Sequence, residues 1–417
     1  MLPEQSQSEA ADPRAAFRYP AFTLFMLARS SVVMATEMQA VAVGWQIYEI
    51  TRRPLDLGLV GLAQFLPGIL LFLVSGHAAD RFNRHRLLTT CYCGFAVCFG
   101  LLLWIAFQSA PNVAPIYAVL ILLGVVRAFS GPVSRTILPQ IVPEQDFPNA
   151  VAWASSIFQT ATILGPVLGG LIYAAFHGPR AVYAASLAAA AAAILLVLRL
   201  RIREEKRPRP ATDLSTVFAG FQYIWREKLI LGAISLDLFA VLLGGAVALL
   251  PVYAKEILQT GPWGLGILRS APGVGASLMA VAIAHWPLKR HAGATMLWCV
   301  AGFGLFTILF GVSRSFVLSV VALFLVGAAD MVSVIVRGTL IQIATPDEMR
   351  GRVNAVDMIF IGASNELGQF ESGITAQWFG TVPAVILGGA GAILVTALWA
   401  WMFPELRRVQ DLSLKSG

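Results

Sequence analysis

The sequence predicts an all-α polytopic membrane protein whose twelve transmembrane helices form two pseudo-symmetric six-helix bundles. Three observations lead there. Of 417 residues, 57% are hydrophobic and only 13% are charged, against about 25% charged in a soluble domain. Apolar runs such as Ala181–Leu198 and Ala384–Phe403 recur along the whole chain, and about 18 such residues with almost no charge read as a membrane helix. Short motifs then repeat at one fixed offset of 205 residues.

In chain order the spans fall at 20–48, 57–79, 87–108, 115–138, 148–175, 180–200, 229–253, 262–285, 293–313, 315–341, 353–379 and 383–403. The first and fifth are long enough to tilt or to extend past the bilayer. The offset maps Pro67-Gly68 onto Pro272-Gly273, Gly61 onto Gly266, Tyr48 onto Tyr253 and Asn149-Ala150-Val151 onto Asn354-Ala355-Val356. With a small shift, "RTILPQIVP" (Arg135–Pro143) parallels "RGTLIQIAT" (Arg337–Thr345). Such a repeat divides the chain into a tail (1–19), an N-terminal bundle (20–200), a charged linker (201–228), a C-terminal bundle (229–403) and a second tail (404–417). Because six is even, both bundles face the same way. An axis along the membrane normal relates them, with a site at their interface near the midplane.

Orientation follows from Lys and Arg. One set of loops carries Arg14, Arg18, Arg81, Arg84, Arg86, the basic linker from Arg199 to Arg209, Lys289, Arg290, Arg350, Arg352, Arg407 and Arg408. The other set carries only Arg52, Arg53, Arg180, Lys255 and Arg314. Both termini are therefore expected in the cytoplasm, with the protein in the cytoplasmic (inner) membrane. The first twenty residues are polar and partly acidic, which is not the layout of a cleaved signal. The net charge of +7 is spread over short loops rather than gathered in a patch, so a nucleic-acid role is excluded. Cys91, Cys93, Cys98 and Cys299 lie inside spans at spacings that match no zinc or redox motif, and read as small buried apolar residues.

The loop "GHAADRFNRHR" (Gly76–Arg86) joins the second and third spans. Gly76 lets neighbouring helix ends approach, Asp80 can accept hydrogen bonds across the gap, and Arg81 and Arg84 anchor the loop at headgroups. In the fifth span "GPVLGG" sets Gly165, Gly169 and Gly170 on adjacent turns beside the kink at Pro166, so a second helix can come close. The fourth span carries "RAFSG" (Arg127–Gly131).

These stretches resemble the major facilitator superfamily, whose second-to-third loop reads G-x-x-x-D-R-x-G-R-R. Gly76, Asp80, Arg81 and Arg84 match, while Asn83 replaces the usual Gly and is read as tolerating left-handed backbone. In the second half His285 stands where the first has Asp80. The glycine motif is similar to the family's antiporter signature, and "RAFSG" to its R-x-x-q-G signature, which would give Arg127 an influence on proton coupling. "MQAVAVGWQIYEIT" (Met38–Thr51) looks most like the enterobactin-exporter-like and drug:proton antiporter subfamily. The resemblance implies a secondary transporter that exports small amphipathic molecules by alternating access, driven by a proton gradient and without a cofactor. It is expected to act as a monomer in the lipid bilayer and is not an enzyme. Two rival readings are a lipid or lysophospholipid flippase on the same fold, and a non-transporting membrane sensor or partner domain.

Ionised side chains near a helix centre cost about 2.5–3.5 kcal/mol on insertion scales, so they face a cavity or a partner. Glu37, Arg127, Asp237 and Asp330 are the proton-coupling candidates. Of these, Glu37 and Asp237 are the better proton-carrier candidates, because a low-dielectric cavity favours the protonated form of a carboxylate. Arg29 is an available partner for Glu37. Arg127 and Asp330 lie in corresponding regions with opposite charge and are expected to bias one midplane site. In "FIGASNELGQFESG" (Phe360–Gly373) helical geometry separates Glu366 and Glu371 by roughly 140°. A polar seam between the bundles is expected there. Asn365 or Glu366 would bond to Gln64 or Arg269, and Glu371 would sit nearer the outer mouth.

Overall fold

The computed structural model describes residues 12–108, 112–200, 214–287 and 291–409, apart from a few side chains that include that of Asp80. Among the described residues every regular element is a helix. α1 (Pro20–Thr51) opens on a proline, whose missing N–H costs nothing in a first turn, and ends at Arg52 in left-handed conformation (φ 54°). α2 (Pro54–Leu70) and α3 (Phe72–Arg81) make one span broken at Leu71, a turn after Pro67 removes a ladder donor. α4 (Arg84–Ala106), α5 (Ala114–Ile141), α6 (Phe147–Ala175) and α7 (Pro179–Leu198) complete the first six crossings. The seventh crossing is discontinuous: α9 (Lys228–Gly244) stops at Gly245, and a 3-10 turn, α10 (Leu250–Val252) and a π turn (Tyr253–Ile257) carry it on. α11 (Gly261–His285), α12 (Ala292–Val312), α13 (Phe316–Ala344), α14 (Asp347–Phe379) and α15 (Thr381–Met402) follow.

Ten of these crossings are long and apolar enough to span a membrane by themselves. The other two of the twelve expected fail for separate physical reasons: the α2–α3 span is broken in two, and α14 carries too many charged and polar residues. The expected linker 201–228 also contains a helix, α8 (Leu214–Arg226), which packs on α14 and α9. Residues 201–213 lie outside the described residues. So do Lys289 and Arg290.

α1, α2, α4, α5, α6 and α7 pack on one another, as do α9, α11, α12, α13, α14 and α15. Lipid gives no hydrophobic drive to this packing, so close backbone approach supplies it. Gly304 and Gly389 face each other so closely that a Cβ on either would stand 2.6 Å from the other's carbonyl oxygen. The two groups meet along α2–α14 and α6–α11. Tryptophans 104, 286, 378 and 401 are all more than 60% exposed near helix ends, the level at which indole rings favour the membrane interface. Cys91 and Cys98 are buried as expected, but Cys93 is exposed on the outer surface, because α4 buries a different face.

Candidate functional site

Two polar clusters lie inside the bundle. The first occupies the seam between the groups. Gly58 and Gly61 bring α2 against Gln369, Phe370 and Glu366 of α14, and Gly165 and Gly169 of α6 seat against the backbone of α1 at Met34 and Met38. Gly170 and Pro166 of the same motif meet α11 at Pro262 and Gly266, where the Ser270 hydroxyl donates to the Ile163 carbonyl (2.6 Å). Small residues thus set the spacing, and polar side chains fill what remains. Glu37 of α1 reaches Arg269 of α11 at 3.8 Å. Arg127 of α5 donates to Gln64 Oε1 at 3.0 Å, and Gln369 donates to Glu366 Oε2 at 3.0 Å. Glu366 feels the charges of Arg127, Arg269 and Glu37. Five spans therefore contribute to one charged network.

Several expected pairings are rearranged. Asn365 donates to its own helix at Ile361 (2.8 Å), because an amide at i+4 reaches that carbonyl without crossing the seam. Glu366 faces α2 but bonds Gln369 rather than Gln64 or Arg269, which are engaged elsewhere. Glu371 accepts from Thr375 (2.6 Å), a turn nearer the far end of α14. Arg29 does not reach Glu37; its guanidinium lies 5.4 Å above the Phe158 ring. Arg127 and Asp330 are not brought to one site either.

Asp330 belongs to the second cluster, in the C-terminal group. Arg337 of α13, 3% exposed, pairs with Asp237 of α9 and lies 3.8 Å from Asp357 of α14. Asp330 is within electrostatic reach of both Asp237 and Arg337. One guanidinium thus pairs with carboxylates from two other helices, with a third carboxylate, Asp330 of its own helix, in electrostatic reach. An unpaired buried charge costs several kcal/mol, so each member holds the others in place. The sequence reading singled out Asp237 and Asp330 but not Arg337 or Asp357. The repeated "RTIL/RGTL" motif carried the signal for the arginine.

A third set of contacts, also missed, closes the face opposite the chain ends. Lys255 of the π turn bonds Glu49 at 3.0 Å and sits 5.1 Å from the Trp45 ring. Tyr48 donates to Glu256 at 2.5 Å, with Arg52 3.7 Å from the same carboxylate. The repeat had marked Tyr48, but only the tertiary fold pairs it with residues 208 positions away.

On the face carrying the chain ends, Asn83 caps α4 by accepting from the Arg86 N–H at 2.8 Å. Its φ is −57°, an ordinary value, so capping and not left-handed backbone accounts for it. Gly76 has open space around it, Arg81 is exposed and Arg84 half-buried; the Asp80 side chain lies outside the described residues. His285, the counterpart of Asp80, bonds its own helix at Val281 (2.9 Å).

Twelve crossings in two packed groups, with a charged seam and a latched far face, define a polytopic secondary transporter of the major facilitator type. It is not an enzyme. The chain belongs to the transmembrane secretion effector family, whose model matches residues 11–416. It is 27% identical to the enterobactin exporter EntS of Shigella boydii serotype 4 (strain Sb227), over 94% of each chain. The same identity and coverage hold for that exporter from Escherichia coli O1:K1 / APEC. A bacterial homologue of the human lysosomal transporter Spinster, in an inward-facing unoccupied conformation, superposes with a TM-score of 0.73 at 13% identity, covering 94% of this chain and 99% of that one. A D-xylose-proton symporter gives 0.70 at 14% identity, covering 96% and 100%.

Proposed function

We propose that this protein exports small amphipathic, siderophore-like molecules across the cytoplasmic membrane in exchange for protons, working as a monomer with both termini in the cytoplasm. The observation that carries the proton coupling is the cluster of one guanidinium and three carboxylates around Arg337. A proton can join it without leaving Arg337 unpartnered, and can leave it again when the helices carrying Asp237, Asp357 and Asp330 shift. Glu37, which spans the seam to Arg269, links such a shift to the relative position of the two groups. Arg127, held to Gln64, sets the charge felt by Glu366. The latched face then corresponds to the outside, and the site opens to the cytoplasm for loading. The gradient is the driving force, and the cycle uses no cofactor. The enterobactin exporters among the relatives support the cargo class.

Proteoliposomes with an imposed pH gradient test this reading. The native chain should accumulate cargo against its gradient. Asp330→Asn should keep gradient-free exchange while losing accumulation by at least about tenfold, which is 1.4 kcal/mol of coupling. Full proton-driven accumulation in both the Asp330→Asn and Glu37→Gln proteins would rule the proton pathway out. One observation favours a second reading, lipid flipping. A wholly apolar groove of 510 Å³ lies at the α2–α3 break, lined by Leu59, Leu66, Pro67, Tyr117 and Ile121. Lysolipid transport at a rate matching that of soluble amphiphiles would favour it.

A further inference from the structure

One face of α5 carries two arginines with no ion pair among the described residues. Arg127, Gly131 and Arg135 follow at i, i+4 and i+8, within about 80° of one another and spanning about 12 Å along the axis. A Cβ at Gly131 would meet nothing within 4 Å, so the space between the two arginines is open. This face does not look at lipid. Both terminal nitrogens of Arg135 reach across to the Met358 sulfur on α14 of the other group (3.6 Å), and Met358 is itself 46% exposed. Arg29 of α1 lies close enough to Arg135 to feel its charge and rests over Phe158, which is 42% exposed.

Among the described residues, none of Arg29, Arg127 and Arg135 has a carboxylate within ion-pair distance. Arg127 bonds the neutral Gln64 with the Glu366 charge in electrostatic reach, Arg135 meets a sulfur and Arg29 a ring. The nearby acids are occupied: Glu37 by Arg269, Glu366 by Gln369, and Asp357 with Asp237 by Arg337. Arg29 and Arg135, within electrostatic reach of each other in a low-dielectric bundle, repel one another and call for an anion, and the open space at Gly131 continues from Arg135 to Arg127. Guanidinium groups present donors in a planar fork that fits an acidic group, and they stack on aromatic faces.

Resting on the export reading above, the geometry points to an anionic cargo: an amphipathic acid whose acidic group is taken between Arg29 and Arg135, with its apolar body on Phe158 and Met358. Arg127 stands deeper along the same face, as the next cation toward the midplane. Carrying an anion outward while a proton moves inward shifts charge in the same sense twice. Both movements are then favoured by a membrane potential that is negative inside.

Three probes that share one apolar body separate the possibilities: naphthalene-1-sulfonate, naphthalene-1-sulfonamide and 1-naphthylmethylammonium. Their binding to the full-length protein in nanodiscs is read by equilibrium dialysis, with empty nanodiscs subtracted, and their flux is read in proteoliposomes. The sulfonate should bind at least tenfold more tightly than the sulfonamide, and the ammonium least. Joint Arg29→Gln and Arg135→Gln replacement should abolish that preference, while Arg135→Lys keeps most of it. The assignment is overturned if the sulfonate fails to bind at millimolar concentration. It is equally overturned if the neutral or cationic probe binds as well, or if the double variant keeps the native preference. Should the double variant fail to fold, the order of the three probes on the native chain and on Arg135→Lys still decides. Sulfonate binding without gradient-driven flux would count against export and leave the anion site standing. Gradient-driven flux of the ammonium, indifferent to the arginines, would do the reverse.

Discussion

Arg135 and Arg337 begin the same repeated motif in the two halves of the chain, yet they live in opposite surroundings. Arg337 is 3% exposed and held by Asp237 and Asp357. Arg135 is exposed and, among the described residues, its guanidinium bonds only the Met358 sulfur of the other group. At the repeat offset, the positions of the two aspartates are Val32 and Ala152 in the first half. A duplicated scaffold thus presents the same guanidinium twice, and the presence or absence of acids on neighbouring helices decides its use. In one half the charge is closed on itself. In the other it stays available to something that enters from outside the fold.

The largest expected effect tests that difference directly. Arg337→Met leaves Asp237 and Asp357 buried without a cation, a change that costs about 3–5 kcal/mol. The protein should lose much of its thermal stability in nanodiscs, or fail to reach the membrane. Arg135→Met removes no structural partner and should change stability by less than about 0.5 kcal/mol. Equal losses from the two replacements would break the comparison.

A smaller effect comes from giving Arg135 the acid it lacks. Met358→Asp places a carboxylate opposite its guanidinium, on a helix of the other group. The new ion pair should hold the groups together at this point of the seam and occupy the cation. An interaction of about 1.4 kcal/mol made in only one state shifts the conformational equilibrium tenfold. Transport should fall by about that factor while melting temperature rises or stays level. Unchanged transport would mean that Arg135 does not face the working cavity. Adding Arg135→Gln to Met358→Asp should remove the lock and return stability to the native level.

How much of this was legible in the sequence depends on the range of the interaction involved. The twelve crossings, the repeat and the glycine motif of α6 are written in composition and spacing, because membrane insertion and close helix packing act over a few turns. The break at Leu71 was foreshadowed by Pro67, and the break at Gly245 by adjacent glycines. Partners were another matter. Glu37 and Arg269 lie on different halves, and which of the available cations Glu37 meets is set by helix rotation, to which hydropathy is blind. The lone guanidinium among Asp237, Asp330 and Asp357 was out of reach for the same reason: three helices had to be placed first. Asn365 or Glu366 was expected to bond across to Gln64 or Arg269; Glu366 lies against Gly61 of α2, but its bond to Gln369 depended on one side-chain torsion.

The smallest effect extends the comparison to neutral groups on α14. Asn365 and Ser372 lie two turns apart, and composition alone does not tell them apart. Asn365 donates to Ile361 on its own helix, whereas Ser372 donates across to the carbonyl of Gly245 at 2.7 Å, where the seventh crossing breaks. The Gly245 carbonyl opens the 3-10 turn Ala246–Leu249, and the Ser372 hydroxyl is a second donor to it from another helix, tying the break to α14. Ser372→Ala should therefore cost about 1 kcal/mol and loosen the break, read as faster amide exchange near Gly245. Asn365→Ala should stay within about 0.5 kcal/mol of native stability, since the backbone ladder already satisfies the Ile361 carbonyl. If the two replacements cost the same, what matters on α14 is polarity as such rather than whether a partner lies on another helix. The reading of Arg135 as free and Arg337 as fixed would then lose its physical basis.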